Sequence, residues 1–362
     1  SIKERLKAMS QNKIEIPCII GGKEVRTGKL KKAVMPHQHR HVLAEFHVAG
    51  EKELNQAAAS ALEARHEWEH LSWSSRSAVF LKAADLLAGS WRDVLNASTM
   101  LGQSKNVYQA EIDAACELID FFRFNAAFYE QILAQQPYSP ALTWNRSEYR
   151  SLEGFVLAIT PFNFTSIAGN LPSTPALVGN TAVWKPANTQ VFSAYYIMKL
   201  FEEAGLPPGV INFVPTDGAL ISQTLLQNPD MSGVHFTGST STFQSIWKTV
   251  GENISRYKSY PRLVGETGGK DFIFAHPSSD SDALAVALVR GAFEYQGQKC
   301  SAASRAYVPQ SLWKKVKESI VSQVQSMKMG DVADFSNFVN AVIDEKAFKT
   351  ISGYIDYAKK SS

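Results

Sequence analysis

The sequence predicts an α/β protein built on a doubly wound, mainly parallel sheet, and two observations carry this prediction. From about residue 150 onward, short apolar runs alternate with amphipathic segments of ten or more residues. This alternation is typical of βαβ units, because parallel strands need a long crossover connection. The chain also has 362 residues and is 45% hydrophobic, which allows a large core that we expect to be divided between two domains.

The first 150 residues predict a hairpin followed by helices. Two short apolar runs flank Gly21 and Gly22, which is the pattern of a β-hairpin. Apolar residues at helical spacing predict helices within the segments 51–70, 77–87 and 110–124. The alternating histidines of HQHRH, His37, His39 and His41, could indicate a metal site, but their position beside Pro36 favours a solvated loop.

The second part of the chain predicts the sheet itself. Its apolar runs predict strands within the segments 154–160, 181–186, 209–215, 232–239 and 262–266. The crossover helices are predicted within the segments 167–180, 192–205, 219–228 and 242–254. A further helix from Asp282, a strand at 304–309 and two amphipathic helices complete the chain. A doubly wound sheet binds its ligand at the carboxyl ends of its strands, so the polar residues at those ends become candidates.

Composition excludes several classes of function. The net charge is +3, from 37 basic and 34 acidic residues with the signs interleaved, which argues against a nucleic-acid-binding stripe. No apolar run is long enough to span a bilayer, and the charged first residues do not resemble a secretory signal. Three cysteines without a CxxC pair indicate neither a disulfide framework nor a zinc site. We expect Cys18, on a strand, and Cys116, in a helix, to be structural.

Three candidates for chemistry follow predicted strands or precede them. Cys300 lies in a turn beside Lys299, whose charge would favour a nucleophilic thiolate, although a structural cysteine is the alternative. Glu266 ends a strand before two glycines and could act as a general base through water, or be an ordinary turn residue. The amide of Asn163 could stabilise an oxyanion, which is worth about 3–4 kcal/mol, or form an Asx turn.

Two further strand ends suggest a nucleotide site. Lys185 could hold the hydroxyl groups of a cofactor, and Gly238 with Ser239 precedes a helix whose N-terminus would favour a phosphate. The glycine signal is weak, because no GxGxxG follows a strand. Asn188 is uncharged, so it neither repels nor attracts the 2′-phosphate that distinguishes NADP from NAD.

Five short motifs in order, PFNF, WKP, FTGS, GETGGK and GQKCSA, resemble those of the aldehyde dehydrogenase superfamily over essentially the whole chain. Within it, EIDAACELIDFFRFNA, SLEGFVLAITPFNF and AFEYQGQKCSA resemble the delta-1-pyrroline-5-carboxylate dehydrogenase branch, as does Phe243 in GSTSTF. The resemblance implies a Rossmann-type, NAD-binding domain over 1–265 and the N-terminal part of an α/β catalytic domain over 266–362. It also implies that the later part of that catalytic domain is missing from this chain.

The resemblance also implies roles for individual residues. Cys300 would be the nucleophile, Glu266 the base that activates water and Asn163 the oxyanion ligand. NAD would be bound by Lys185 at the adenosine ribose and Ser239 at the pyrophosphate, together with Gly238 and Phe162. The substrate residues would be Ser301, Phe164, Glu117 and Lys299, although a solvated glutamate and a surface lysine are the alternatives for the last two.

The activity implied by this resemblance is the NAD-dependent oxidation of L-glutamate γ-semialdehyde to L-glutamate, in proline catabolism. Another NAD(P)-dependent aldehyde dehydrogenase for a carboxylated semialdehyde, or a non-catalytic fragment, are the alternatives. We expect a homodimer or higher homo-oligomer that is soluble in a mitochondrial matrix or a bacterial cytoplasm, with no metal, nucleic acid or membrane as partner.

Overall fold

The computed structural model describes residues 1–361. The helices are α1 Ile2–Gln11, α2 Glu51–His70, α3 Trp73–Ala88, α4 Arg92–Gln103, α5 Val107–Ala110, α6 Glu117–Ala134, α7 Thr165–Leu177, α8 Val191–Ala204, α9 Gly218–Gln223, α10 Thr240–Glu252, α11 Ser281–Phe293, α12 Gln310–Ser326 and α13 Glu345–Lys360. The strands are β1 Ile14–Ile16, β2 Cys18–Ile20, β3 Lys23–Val25, β4 Leu30–Met35, β5 Gln38–His47, β6 Phe155–Ile159, β7 Thr181–Lys185, β8 Ile211–Phe213, β9 Met231–Thr237, β10 Arg262–Glu266, β11 Asp271–Phe274 and β12 Ala303–Tyr307. A π-helical segment, Glu111–Cys116, joins α5 to α6.

The main sheet has seven strands in the order β10-β9-β6-β7-β8-β2-β3. Its first five strands run parallel, and β2 and β3 extend it by antiparallel pairing. Each of the five strands expected after residue 150 is present, and α7, α8, α9 and α10 are the expected crossovers. The predicted parallel α/β sheet is therefore confirmed.

Both faces of the central strands β6, β7, β8 and β9 are buried, as expected for a doubly wound arrangement. Alternate strand residues face two different cores: Trp184 contributes to one and Val183 to the other. Helices α3, α4, α6, α7 and α8 supply apolar side chains to the first core, whereas α2 and α10 supply the second. None of the helices within residues 1–361 is sufficiently long and apolar to cross a membrane.

The hairpin predicted around Gly21 and Gly22 is confirmed as β2 and β3. Both glycines have positive φ, 59° and 72°, a conformation that other residues adopt only at a cost. The hairpin joins the main sheet at β8, where the Asn212 side chain accepts a hydrogen bond of 2.8 Å from the Gly21 amide. Cys18 on β2 is buried, and burial, followed by the charge of Glu53, raises its thiol pKa to about 12. These observations agree with a structural role.

The histidine segment forms a second hairpin, so the prediction of a solvated loop is wrong. Residues 36 and 37 are the turn between β4 and β5, and His39 lies exposed on β5. His37 packs inward, with its Nδ1 2.6 Å from Ser104 Oγ, and His41 Nε2 lies 2.7 Å from the backbone carbonyl oxygen of Ser10. Among residues 1–361, no group of three or more histidine, cysteine or acidic side chains is placed to hold a metal ion.

A small parallel sheet of β11 and β12 follows the main sheet. Helices α11 and α12 pack on it through Leu284, Leu288 and Val316. The sequence predicted β12 but not β11, because DFIF is only four residues long and directly follows a glycine-rich turn. Between α11 and β12 the backbone makes a left-handed turn, in which Tyr295 and Gln296 have φ of 49° and 55°.

Candidate functional site

The polar residues expected at strand ends do lie together along the carboxyl edge of the main sheet. Lys185 is the last residue of β7, and Glu266 is the last residue of β10. The segment that follows β9 approaches β10 closely, because the Gly238 amide donates a 3.1 Å hydrogen bond to the Glu266 carbonyl oxygen. Asn163 lies in the loop between β6 and α7, so the main sheet positions four of the predicted residues.

The turn that carries Cys300 is held in an unusual backbone conformation by its side chains. Tyr295, in the left-handed turn, is fully buried and donates a 2.9 Å hydrogen bond to the Gln103 carbonyl oxygen. Gln296 donates to the Ala341 carbonyl oxygen at 2.7 Å, and Gln298 Oε1 accepts from the Ile343 amide at 2.9 Å. Left-handed residues other than glycine are strained and often occur at functional sites. Hydrogen bonds to Gln103 and to the segment 341–343 therefore hold the turn that carries the Cys300 thiol.

Two segments of the chain approach this turn from the sheet edge. Asn163 Nδ2 donates a 2.9 Å hydrogen bond to the carbonyl oxygen of Gln298, two residues before Cys300. The backbone of Gly269 packs against Cys300 so closely that a Cβ atom there would lie 2.4 Å from the Cys300 carbonyl oxygen. The structure therefore brings the predicted nucleophile and the predicted oxyanion ligand into one site.

The environment of the half-buried Cys300 opposes thiolate formation. Burial, and then the negative charge of Glu266, raise the pKa of the Cys300 thiol, while hydrogen bonding to the backbone of Ser301 and of Cys300 itself acts in the opposite direction. The expectation that Lys299 favours the thiolate is not met, because the Lys299 ammonium points away to Asp113. Glu266 is exposed at the end of β10, so its carboxylate contacts water while its charge also acts on the Cys300 thiol.

Lys299 belongs to a cluster of charged groups beside the cysteine turn. Its Nζ lies 3.1 Å from Asp113 Oδ2 and 5.4 Å from the centre of the Phe164 ring. Glu117, four residues after Asp113, accepts a hydrogen bond from the Ser166 hydroxyl. Burial is the main reason why the pKa of the Glu117 carboxyl is raised, so Glu117 is not the solvated glutamate that was the alternative. Ser301 lies exposed on the other side of Cys300.

Asp113 and its buried partner Lys105 were not predicted. Lys105 Nζ lies 2.5 Å from Asp113 Oδ2, and it is entirely buried. The i, i+4 spacing of Asp113 and Glu117 could have indicated that the two carboxylates share a helix face. A lone lysine after a helix carries no such signal, because lysine is rarely buried.

The expected cofactor residues lie further along the sheet edge. The Lys185 side chain makes no hydrogen bond or ion pair within the described part of the chain, and burial is the main reason why its pKa is lowered to about 8. Ser239 is the N-cap of α10, where its Oγ accepts a 3.2 Å hydrogen bond from the Thr242 amide. Phe162 is half-buried beside Asn163, and its carbonyl oxygen accepts a 2.5 Å hydrogen bond from Gln103.

Residues 25–362 match the aldehyde dehydrogenase family. The chain belongs to the aldehyde dehydrogenase family. This confirms the family and the fold class that the five sequence motifs predicted. The five motifs that this chain shares with the family do not include GxGxxG. The absence of that pattern therefore agrees with the family assignment.

Aldehyde dehydrogenases similar to this chain carry the name of the branch that the sequence resembles. The mitochondrial delta-1-pyrroline-5-carboxylate dehydrogenase of Dictyostelium discoideum is 52% identical over 99% of this chain and 65% of its own length. The human mitochondrial protein of that name is 46% identical over 100% of this chain and 64% of its own length. The chain thus spans about two-thirds, 64–65%, of the length of these curated relatives.

Two solved structures that are similar to this chain belong to the same branch. The delta-pyrroline-5-carboxylate dehydrogenase of Mycobacterium tuberculosis bound with NAD superposes with a TM-score of 0.97 at 52% identity, covering 99% of this chain and 67% of that one. A Thermus 1-pyrroline-5-carboxylate dehydrogenase with bound NAD gives a TM-score of 0.94 at 29% identity, over 99% of this chain and 70% of that one.

Proposed function

We propose that this protein oxidises L-glutamate γ-semialdehyde, the open form of 1-pyrroline-5-carboxylate, to L-glutamate with NAD⁺, as a step of proline catabolism. The convergence of Asn163, Glu266 and Cys300 on one turn is the observation that carries this proposal. The names of the similar dehydrogenases and the NAD in the related structures support the choice of substrate and cofactor.

Cys300 is the nucleophile in this mechanism. Its sulfur attacks the aldehyde carbon, and the carbonyl oxygen becomes the oxyanion of a thiohemiacetal. The Asn163 amide and the backbone N–H of Cys300 stabilise this oxyanion, because fixed donors need no reorganisation as charge develops. Asn163 Nδ2 already donates to the Gln298 carbonyl oxygen, so its second N–H is the one available for the substrate.

Glu266 has two tasks that follow from its position. The raised pKa of Cys300 means that the thiol needs a base, and the neighbouring carboxylate can accept its proton directly or through water. After hydride loss the substrate is a thioester on Cys300. Glu266 then takes a proton from water, whose oxygen attacks the thioester carbon, and the C–S bond breaks to release glutamate and the thiol.

The residues at the sheet edge fit a dinucleotide. The half-buried Lys185 ammonium has no hydrogen-bond or ion-pair partner among the described residues, which suits it to the adenosine ribose. Ser239 is the N-cap of α10, and the first backbone N–H groups of that helix are suited to the pyrophosphate. Gly238, whose own N–H donates to the Glu266 carbonyl oxygen, directly precedes Ser239, and Phe162 lies on the side nearer Asn163. Bound NAD⁺ would supply the hydride acceptor for this oxidation.

The substrate's amino-acid end requires a cation for the carboxylate and an acceptor for the ammonium. Lys299 and Ser301, on either side of Cys300, supply donors for the carboxylate. Glu117 supplies the acceptor, and the Phe164 ring forms an apolar wall for the short methylene chain.

We also propose the division into an NAD-binding domain over 1–265 and a catalytic domain from 266. The separate β11–β12 sheet and its own core, which begin just after Glu266, support this boundary. We further propose a homo-oligomer, and a mitochondrial matrix or a bacterial cytoplasm as its location. The mitochondrial relatives and the mycobacterial relative support either location.

The test is NAD reduction with 1-pyrroline-5-carboxylate by the wild-type protein and by Cys300→Ala. We expect turnover in the wild type and only background in Cys300→Ala, which removes the sulfur but keeps the NAD residues. Cys18→Ala is the matched control, because Cys18 lies on β2, near the opposite end of the main sheet from β10, and it should retain turnover. Turnover by Cys300→Ala, or none by the wild type, would refute the proposal.

A further inference from the structure

A buried ion pair lies beneath the substrate end of the site, and the proposed mechanism does not use it. Lys105 and Asp113 expose 0% and 3% of their side chains, and Lys105 Nζ lies 2.5 Å from Asp113 Oδ2. The ammonium also lies 4.4 Å from the centre of the Tyr295 ring and 4.5 Å from that of the Phe164 ring. Both rings belong to segments that carry the site: Tyr295 to the left-handed turn before Cys300, and Phe164 next to Asn163.

Such a pair is a poor way to stabilise a fold. Two charges lose their hydration on burial, and their mutual attraction often only compensates for that loss. Burial lowers the pKa of the Lys105 ammonium to about 8, although the charge of Asp113 opposes the change. Because the pair contributes little net stability, we consider whether it positions neighbouring side chains.

The group that this pair holds is Lys299. The Lys299 Nζ lies 3.1 Å from Asp113 Oδ2 and 3.4 Å from Asp113 Oδ1, so Asp113 bridges two ammonium groups. Lys299 retains 14% exposure, and Glu294 is its other carboxylate neighbour, at 3.9 Å. An ammonium has three N–H donors, and this arrangement leaves at least one of them for a ligand.

The backbone that presents Asp113 is itself unusual. Asp113 lies in the π-helical segment Glu111–Cys116, at whose end the Glu117 amide bonds to the carbonyl oxygen of Ile112, five residues earlier. Single π-helical turns are frequently found at functional sites. Here the wider turn precedes Glu117 directly, so one segment sets the positions of both carboxylates.

We propose that the Lys105–Asp113 pair positions the Lys299 ammonium for the substrate carboxylate, and so makes the site selective for aldehydes that carry one. This inference rests on the proposed function. Asp113 and Lys105 are positioning residues, since they act through Lys299 and do not touch the reacting atoms. Without Asp113, the Lys299 side chain is free to leave the site, and carboxylated aldehydes lose their advantage over neutral ones.

The test is the double variant Asp113→Asn with Lys105→Met, which removes both buried charges together and leaves no unpaired ion in the core. We expect KM for 1-pyrroline-5-carboxylate to rise at least tenfold, while kcat and KM for butanal, a neutral aldehyde, change less than threefold. As a readout without turnover, the Kd for L-glutamate measured by calorimetry should rise by the same factor. Asp120→Asn, an exposed carboxylate on α6, is the matched control and should behave as the wild type.

Asp113→Glu serves if the double variant does not fold, because it keeps both charges and moves the carboxylate by one methylene group. It should raise KM for 1-pyrroline-5-carboxylate several-fold and leave butanal kinetics unchanged. Equal losses for both aldehydes, or an unchanged Kd for L-glutamate, would overturn the inference. Failure of the proposed function is distinguishable, because the wild type itself would then not oxidise 1-pyrroline-5-carboxylate.

Discussion

The ionisation of Cys300 depends on a single neighbouring carboxylate more than on any nearby cation. Glu266→Gln removes a charge that raises the Cys300 pKa, so we expect the thiolate to form at lower pH. The rate of iodoacetamide alkylation of Cys300 at pH 7, followed by mass spectrometry, should therefore increase severalfold while dehydrogenase turnover falls. Cys116 is an internal control, since the carboxylates that raise its pKa are Glu111 and Asp120. Slower alkylation of Cys300 in the variant would contradict this account.

Lys185 gives cofactor binding a specific pH dependence. Its ammonium has a pKa of about 8, so it is charged at neutral pH and becomes neutral as the pH rises through that value. We expect the Kd for NAD⁺, measured by calorimetry, to increase between pH 7 and pH 9. Lys185→Met should bind NAD⁺ about tenfold more weakly at pH 7 and lose this dependence, since a charge-assisted hydrogen bond contributes about 1.5–3 kcal/mol. The same pH profile in both proteins would exclude this role.

Among single residues, the sequence predicted those that follow strands but not the buried ones that pack beneath the site. Asn163, Glu266 and Cys300 could be found because a parallel sheet brings the ends of its strands together. The orientation of Lys299 could not be predicted, because adjacency to Cys300 in sequence does not place the ammonium beside the thiol. Lys105 was missed for the related reason that its burial depends on rings from two distant segments.

Among the larger elements, the glycine-rich turn after β10 has a position that only a glycine can fill. A Cβ atom at Gly269 would lie 2.4 Å from the Cys300 carbonyl oxygen, so Gly269→Ala must displace the cysteine turn. We expect kcat/KM to fall about 100-fold, the effect of misplacing a reacting group by about 1 Å. Gly268→Ala is the matched control, because nothing lies within 4 Å of the added Cβ atom. Equal activity of the two variants would show that the turn tolerates the shift.

The helices and strands differ in how far periodicity could predict them. Helix α2 and the five parallel strands match their predicted segments, because each has a long or strongly apolar pattern. The histidine segment 37–41, which contains the turn and the start of β5, was predicted as a solvated loop, because its side chains are polar and this end of β5 is exposed. The π-helical segment was predicted only as part of a helix over 110–124, because no sequence period distinguishes one wider turn.

On the scale of the whole molecule, His37 connects the β4–β5 hairpin to the late part of the chain. Its ring contacts Ser104 at the end of α4, and its Nε2 lies 3.7 Å from Asp331 Oδ1. Nearby, the Asn106 side chain donates a 3.0 Å hydrogen bond to the Phe338 carbonyl oxygen. The segment around residues 331–343, which also contacts the cysteine turn, is thereby attached to the N-terminal layer.

This connection should make stability depend on pH. Burial lowers the His37 pKa below its ordinary value of 6.5, so the unfolded chain takes up a proton that the folded protein resists. The free energy of unfolding should therefore fall as the pH decreases below about 6.5. In His37→Asn, urea unfolding should show a pH dependence smaller by up to about one proton. His235, whose pKa burial also lowers, keeps the remaining slope, and an unchanged slope would contradict the role of His37.

The attachment of the β2–β3 hairpin to the edge of the main sheet has a consequence for synthesis on the ribosome. Gly21 and its partner Asn212 are 191 residues apart in sequence. At about 5–20 residues per second, the finished hairpin waits roughly 10–40 s for the strand it joins. During that interval the apolar strand Cys18–Ile20 is paired only with β3, and the edge that later joins β8 is unpaired. A chaperone that covers short apolar strands would therefore act on this chain early, before the parallel strands of the main sheet have been translated.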